Sequence, residues 1–231
     1  MFDLSPAEWT AIALSLRIAI VATVCVLPFG IAVGWVLART QFWGKTLLDG
    51  IVYLPLVLPP VVTGYLLLIS FGRKGPIGAF LAEYLGIVLS FRWTGAALSC
   101  GVMGFPLLVR PIRLALEAID RRFEDAAATL GAGRFMVFLT ITLPLALPGI
   151  IAGAVLCFAR ALGEFGATIT FVSNIPGETQ TISAAIYTLL QVPNGDAAAG
   201  RLVIIAIVIA LAALIASEWF ARRAGLRFQG E

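Results

Sequence analysis

Arg121-Arg122-Phe123-Glu124-Asp125-Ala126-Ala127-Ala128-Thr129-Leu130-Gly131, followed after nine residues by Ile141-Thr142-Leu143-Pro144, forms a polar island between two long apolar stretches. In a chain that otherwise avoids charge, the island must face water, and it reads as an exposed helix-loop-helix offered to a soluble partner. Ile119, Phe123, Ala126, Ala127 and Leu130 recur at helical spacing as one apolar stripe, while Glu117, Asp120, Arg121, Glu124 and Asp125 spread over the rest. Gly131 suits a left-handed helix end and Gly133 frees the turn. Arg134 to Thr142 can then form a second short helix, which Pro144 closes before the next apolar stretch. Composition alone also allows an amphipathic helix lying on the bilayer surface.

The remainder of the chain sets that island in a membrane. Of 231 residues, 60% are apolar and 13% charged, and the mean hydropathy is +1.00, outside the range of a soluble globular domain. The net charge of +3 does not point to nucleic acid, because the basic residues sit at the ends of apolar segments, as membrane topology requires. Cys25, Cys100 and Cys157 stand singly in apolar runs, without metal or disulfide spacing, and read as small core residues. The chain has no histidine, so a hydrolase with a catalytic His is excluded, and no metal site is expected. Gly44-Lys45-Thr46 mimics the end of a phosphate loop, but Arg39 stands where the earlier glycine is required. Energy for any active process must come from a partner.

Charge-free windows at 18–38, 50–72, 93–109, 135–159 and 202–217 locate the spans, since about 20 apolar residues cross the hydrocarbon core as a helix. The expected architecture is an all-α polytopic membrane protein with one transmembrane domain over 1–231 and spans near 11–38, 48–72, 93–113, 145–172 and 201–221. The first apolar segment follows Asp3 and Glu8 and is too long for a cleaved signal peptide. With the island inside, the cytoplasmic basic residues are Arg39, Lys45, Arg110, Arg113, Arg121, Arg122, Arg134, Arg222, Arg223 and Arg227. The N-terminus is then external, the C-terminus cytoplasmic, 117–144 a cytoplasmic loop, and 73–92 and 173–200 external loops. A six-span alternative exchanges Arg39 and Lys45 for Arg73 and Lys74, a tie on charge.

Proline and charge fall at unusual places inside the spans. Pro55, Pro59 and Pro60 each remove a backbone donor, so the second span must bend or break, either to line a pathway or only for packing. Gly30 with Gly34, and Gly149 with Gly153, give the four-residue spacing of small residues that lets helices approach. Arg160 and Glu164 lie four apart, on one helical face of the fourth span, and are expected to neutralise each other. That pair either fixes packing or rearranges during transport. Thr63, Thr168, Thr170, Ser173 and Asn174 join Pro59, Pro60, Arg160 and Glu164 as candidate lining of a polar path; ordinary helix-end polarity is the alternative for each.

The island resembles the cytoplasmic loop signature of permease subunits of ATP-binding-cassette importers. In that signature an acidic residue, two alanines, three residues, a glycine, nine residues and Ile-x-Leu-Pro occur in order. Here these are Asp125, Ala126, Ala127, Gly131, Ile141, Leu143 and Pro144, with Asp125 where the family usually has glutamate and Glu124 beside it. The segments 54–65, 158–168 and 171–179 resemble those of the molybdate/sulfate permease family. The resemblance implies the type I importer permease fold, and an ATPase-coupling set of Glu124, Asp125, Ala126, Ala127, Gly131, Ala132, Gly133, Arg134, Ile141, Leu143 and Pro144. It implies a location in the cell inner membrane and a second copy of the chain. It also implies a dimer of ATPase subunits that use the ATP, an external oxyanion-binding protein and no cofactor on the chain itself. Molybdate is the anion it favours, sulfate or tungstate being the alternatives. A secondary anion transporter would need internal repeats or intramembrane ionisable groups for ion coupling, and the sequence shows no clear repeat and only one compensated pair, Arg160 with Glu164. A membrane enzyme would need a polar catalytic cluster, also lacking.

Overall fold

α1 (Pro6–Arg39) opens on a capping box in which the Ser5 hydroxyl accepts from Glu8 N–H and the Glu8 carboxylate accepts from Ser5 N–H at 2.7 Å. Its 34 residues make a rod of about 51 Å, longer than the hydrocarbon core is thick. The computed structural model describes residues 4–228, the side chains of 217, 218 and 220–228 excepted, so those of Arg222, Arg223 and Arg227, used above for orientation, lie outside the described set, as does the C-terminal residue. Among the described residues, four helices are long and apolar enough to cross a membrane, and a fifth crossing results if one bent pair is a single span. In chain order they are α1, the pair α2 (Lys45–Val57) and α3 (Pro60–Phe71), α5 (Trp93–Ala118), a rod from Arg134 to Leu162, and α11 (Asp196–Phe228), apolar enough over Asp196–Ala216. Between them lie α4 (Pro76–Leu85), α6 (Arg121–Thr129), α9 (Gly166–Val172) and α10 (Ile182–Leu189).

The Arg134–Leu162 rod meets the backbone of α5 at its glycines, whereas the glycines of α1 receive side chains of α5. A Cβ on Gly153 would lie 2.6 Å from the Leu108 carbonyl oxygen, and one on Gly149 would lie 2.7 Å from that of Pro111. Gly30 faces the Leu108 side chain and Gly34 the Ile112 side chain, so both small-residue pairs sit at helix contacts. Leu108, Ile112 and Leu116 then close on Ala146, Ile150 and Cys157. A second cluster joins Ile18 and Ala22 of α1, Leu67 of α3, Ala96 and Cys100 of α5, and Phe171 of α9. Large apolar side chains such as Phe29, Val61, Val208 and Leu211 point outward, the inverse of a water-soluble core.

The break expected within 48–72 is present: α2 and α3 meet at 113°, because Pro59 and Pro60 remove two successive donors and Leu58 before them is extended. Three expectations are corrected. The segment 145–172 is also broken, with α8 (Leu143–Leu162) ending at Gly163 and α9 starting at Gly166, so Arg160 and Glu164 do not share one helical face. Pro144 does not close a helix. α7 (Arg134–Val137) continues through a π turn, Phe138–Thr142, into α8, and the Leu143 N–H reaches back five residues to the Phe138 carbonyl. That wide turn positions Pro144 in the first turn of α8, where its missing donor costs little. Finally, Cys25 is exposed on the outer face of α1, while Cys100 and Cys157 are core residues.

Gly153→Val should destabilise the protein by about 1–3 kcal/mol through overpacking against Leu108. Gly50→Ala, where nothing lies within 4 Å of the added carbon, should stay within about 0.5 kcal/mol of the parent. Thermal unfolding in detergent micelles separates the two, and equal midpoints would contradict backbone contact at Gly153.

Candidate functional site

The polar island folds as a projecting bracket. Asp120 caps α6 by accepting from Arg122 N–H at 3.0 Å, and α6 ends where Gly131 takes φ +85°, a conformation that favours glycine. Gly133 then caps α7. No side chain of α6 is buried; Phe123 is 58% exposed and Leu130, just past its end, 89%. The apolar stripe therefore faces outward, except at Ile119, which packs on the α5/α8 core.

One carboxylate ties the bracket to the bundle. Glu124 Oε1 accepts from Arg39 Nη2 at 3.0 Å and from Thr142 Oγ1 at 2.7 Å, while Arg39 Nη2 also donates to the Ile119 carbonyl at 3.3 Å. Thr142 is buried in the π turn and the Arg39 side chain is 9% exposed, so α6 hangs from the end of α1 and the start of α8 at once. Beside it, Arg113 pairs with Asp49 of α2 at 2.7 Å and with Glu117 at 2.8 Å. The more shielded Glu124 contacts are each worth about 1.5–3 kcal/mol, and the more exposed Arg113 pairs about 0.2–1 kcal/mol.

The structure divides the sequence signature into two parts. Asp125, Ala126, Ala127, Gly131, Ala132, Gly133 and Arg134 lie on the bracket, whereas Ile141, Leu143 and Pro144 are half-buried at its base. Glu124, not Asp125, makes the anchoring contact; Asp125 has no partner among the described residues. Arg39 and Thr142 were not singled out as anchors. Arg39 is 85 residues from Glu124, and its sole sequence signal was a charge at the end of an apolar run.

A second polar locus lies within the bundle. Glu164 is 1% exposed in the gap between α8 and α9; its Oε1 accepts from Ala167 N–H at 2.8 Å and its Oε2 lies 2.6 Å from Arg160 Nη1. The carboxylate thus caps the new helix and neutralises the guanidinium at the end of the old one. A Cβ on Gly166 would lie 2.8 Å from Pro60, and one on Gly64 2.5 Å from the Ala167 carbonyl oxygen. The proline break of α2/α3 and the glycine break of α8/α9 therefore face each other, with Pro60 and Gly64 against Gly166, Ala167 and Thr170, and with Pro59, Thr63, Arg160, Glu164 and Thr168 on the flanking residues. Thr168 and Thr170 donate to the Phe165 and Gly166 carbonyls, while the Thr63 hydroxyl is buried without a partner. Ser173, at φ +66°, and Asn174, which donates to Thr188 Oγ1 at 2.8 Å, lie beyond the end of α9, toward α10. At the end of the molecule opposite the bracket, Arg201 joins α11 to Glu8 of α1 at 3.0 Å.

Residues 27–226 match the family described as the binding-protein-dependent transport system inner membrane component, and the chain belongs to that family. The molybdenum transport system permease protein ModB of Escherichia coli K12 is 60% identical over 219 residues, 95% of this chain and 96% of its own length. ModB of Haemophilus influenzae is 55% identical over 94% of each chain. The sulfate transport system permease protein CysT of Salmonella typhimurium is 38% identical over 81% of this chain and 67% of its own. Among solved structures, a bacterial ABC transporter that imports the acidic polysaccharide alginate superposes with a TM-score of 0.73 at 20% identity, covering 95% of this chain and 80% of that one. The MetNI methionine ABC transporter in an inward-facing conformation gives 0.66 at 15% identity, covering 94% of each. The fold is the type I importer permease fold.

Glu164→Gln should leave the Ala167 N–H capped but Arg160 uncompensated, at a cost of about 2.5–3.5 kcal/mol. Adding Arg160→Met should restore most of that loss in thermal unfolding; a double variant no better than the single one would show that the two charges are not coupled. Glu124→Ala should accelerate amide hydrogen exchange across 121–134 and leave α5 and α8 protected. Uniform protection in that variant would remove Glu124 as the anchor.

Proposed function

We propose that this chain is the membrane permease subunit of an ATP-driven molybdate importer, working as a homodimer with two ATPase subunits and an external oxyanion-binding protein. The observation that carries the reading is 60% identity to a molybdenum permease along 95% of the chain, against 38% to a sulfate permease over a shorter stretch. The bracket supports the ATPase partnership: it is exposed, rigidly capped at both ends and anchored through Glu124 to two spanning helices. A load applied at Phe123 or Leu130 reaches α1 through Arg39 and α8 through Thr142. In this reading the bracket is cytoplasmic, the N-terminus external and the C-terminus cytoplasmic, and the family's ATPase grips the α6–α7 turn.

ATP-driven closure of the two ATPase subunits draws the two brackets together, and the pull reaches the facing helix breaks. Those breaks are where the bundle can deform at least cost, because Pro59 and Pro60 lack backbone donors and α8 stops at Leu162 before α9 starts at Gly166. The permease supplies a transient polar path, lined at the breaks by Thr63, Arg160 and Glu164. It is a transport subunit and not an enzyme; anion choice rests mainly with the binding protein.

Proteoliposomes carrying the permease, its ATPase and its binding protein should accumulate labelled molybdate only with ATP, and excess sulfate should compete weakly. Glu164→Gln should slow that uptake. Uptake without the ATPase would indicate a secondary transporter, and full competition by sulfate would reassign the substrate.

A further inference from the structure

At the bracket end of α1, a polar cleft and an apolar groove run into each other. The cleft, about 340 Å³, lies between α1, α6 and α7 and carries Arg39, Arg121 and Arg134 with Glu124 and Asp125. The groove, about 480 Å³, is formed by Ala32, Trp35 and Val36 of α1 with Phe135 and Phe138. Trp35, Arg134 and Phe138 line both, and the Trp35 and Phe138 rings meet edge to face at 6.3 Å. The charge in the cleft is unbalanced. Three arginines stand against two carboxylates: Glu124 is committed to Arg39 and Thr142, and Arg121 and Arg134, with no ion-pair partner among the described residues, face the single unpaired carboxylate of Asp125. The Arg39 side chain is nine-tenths buried against the cleft, and its Nε has no partner among the described residues. Ala32 to Val36 are the last turns of a spanning helix, so the groove lies where hydrocarbon gives way to headgroups.

We propose that this junction binds one anionic phospholipid, its phosphate among Arg134, Arg121 and Arg39 and an acyl chain along Trp35 and Phe138. A soluble anion would leave the apolar half unused. An extended peptide would need backbone hydrogen-bond partners, and the groove between Ala32 and Phe138 is lined almost wholly by carbon. An amphiphile with one negative headgroup matches both halves. The lipid would rest against α6 and α7, so the bracket is tethered to the bilayer surface as well as to the bundle.

The test uses the complete transporter, permease with its ATPase, in phosphatidylcholine nanodiscs containing a small fraction of photo-crosslinkable phosphatidylglycerol. Crosslinks should map to α1 near Trp35 and to 134–138, and an equal fraction of crosslinkable phosphatidylcholine should not label there. Arg134→Gln should lower phosphatidylglycerol occupancy about fivefold. Ala32→Trp, at an exposed position, fills the apolar half without changing charge and should lower occupancy as well. Should Ala32→Trp fail to fold, Val36→Phe replaces it. Equal labelling by both lipids, or undiminished labelling in the Arg134→Gln and groove-filling variants, would overturn the proposal. Competition by glycerol phosphate as strong as by lipid would make this a soluble-anion site. Labelling of the isolated permease that disappears on adding the ATPase would make it a protein interface.

Discussion

Hydrocarbon offers no hydrogen bonds, so a helix interrupted inside the bilayer must find partners for its freed backbone groups within the protein. This chain interrupts two helices and sets the interruptions against each other. Glu164 answers one of them, capping α9 through Ala167 while its other oxygen holds Arg160. The arrangement requires glycine at both points of contact, because Gly64 and Gly166 leave no room for a side chain between α3 and α9. Everything beyond this locus is conventional packing: long rods, small residues at the crossings and bulky residues toward lipid.

The bracket follows the opposite rule. It lies where water is available, buries nothing of α6, and keeps its shape through capping: Asp120 at one end, Gly131 and Gly133 at the other. Its connection to the bundle is narrow and strong, a single carboxylate shared by an arginine and a threonine from different helices. A surface built this way moves as one piece with its supports, which is what a subunit driven from outside the membrane requires.

How much of this could be read from the sequence varied with the range of the signal. The bracket was legible because its cues are local: a helical stripe and a glycine, Gly131, where φ turns positive. The break at Pro59 and Pro60 was legible for the same reason. The break at Gly163 was not, because Arg160 and Glu164 fit an uninterrupted helix equally well by spacing, and only the burial of Glu164 against Ala167 N–H distinguishes the two. Pro144 misled in the other direction: proline after a short helix reads as a stop unless a wide turn is known to precede it. The anchoring of Glu124 by Arg39 was beyond reach, since a contact across 85 residues leaves no periodic trace.

The wide turn at Phe138–Thr142 has one more consequence. It holds one residue more than an α turn, and such a surplus can migrate along a helix without breaking it. Each residue absorbed or released turns the preceding segment by about 100° and shifts it by about 1.5 Å relative to the following one. Because Thr142 holds Glu124 from inside that turn, any change in its winding would swing α7 about the helix axis while the grip on α6 is strained. Rotation at the membrane surface, rather than simple translation, is the motion this joint is shaped to permit.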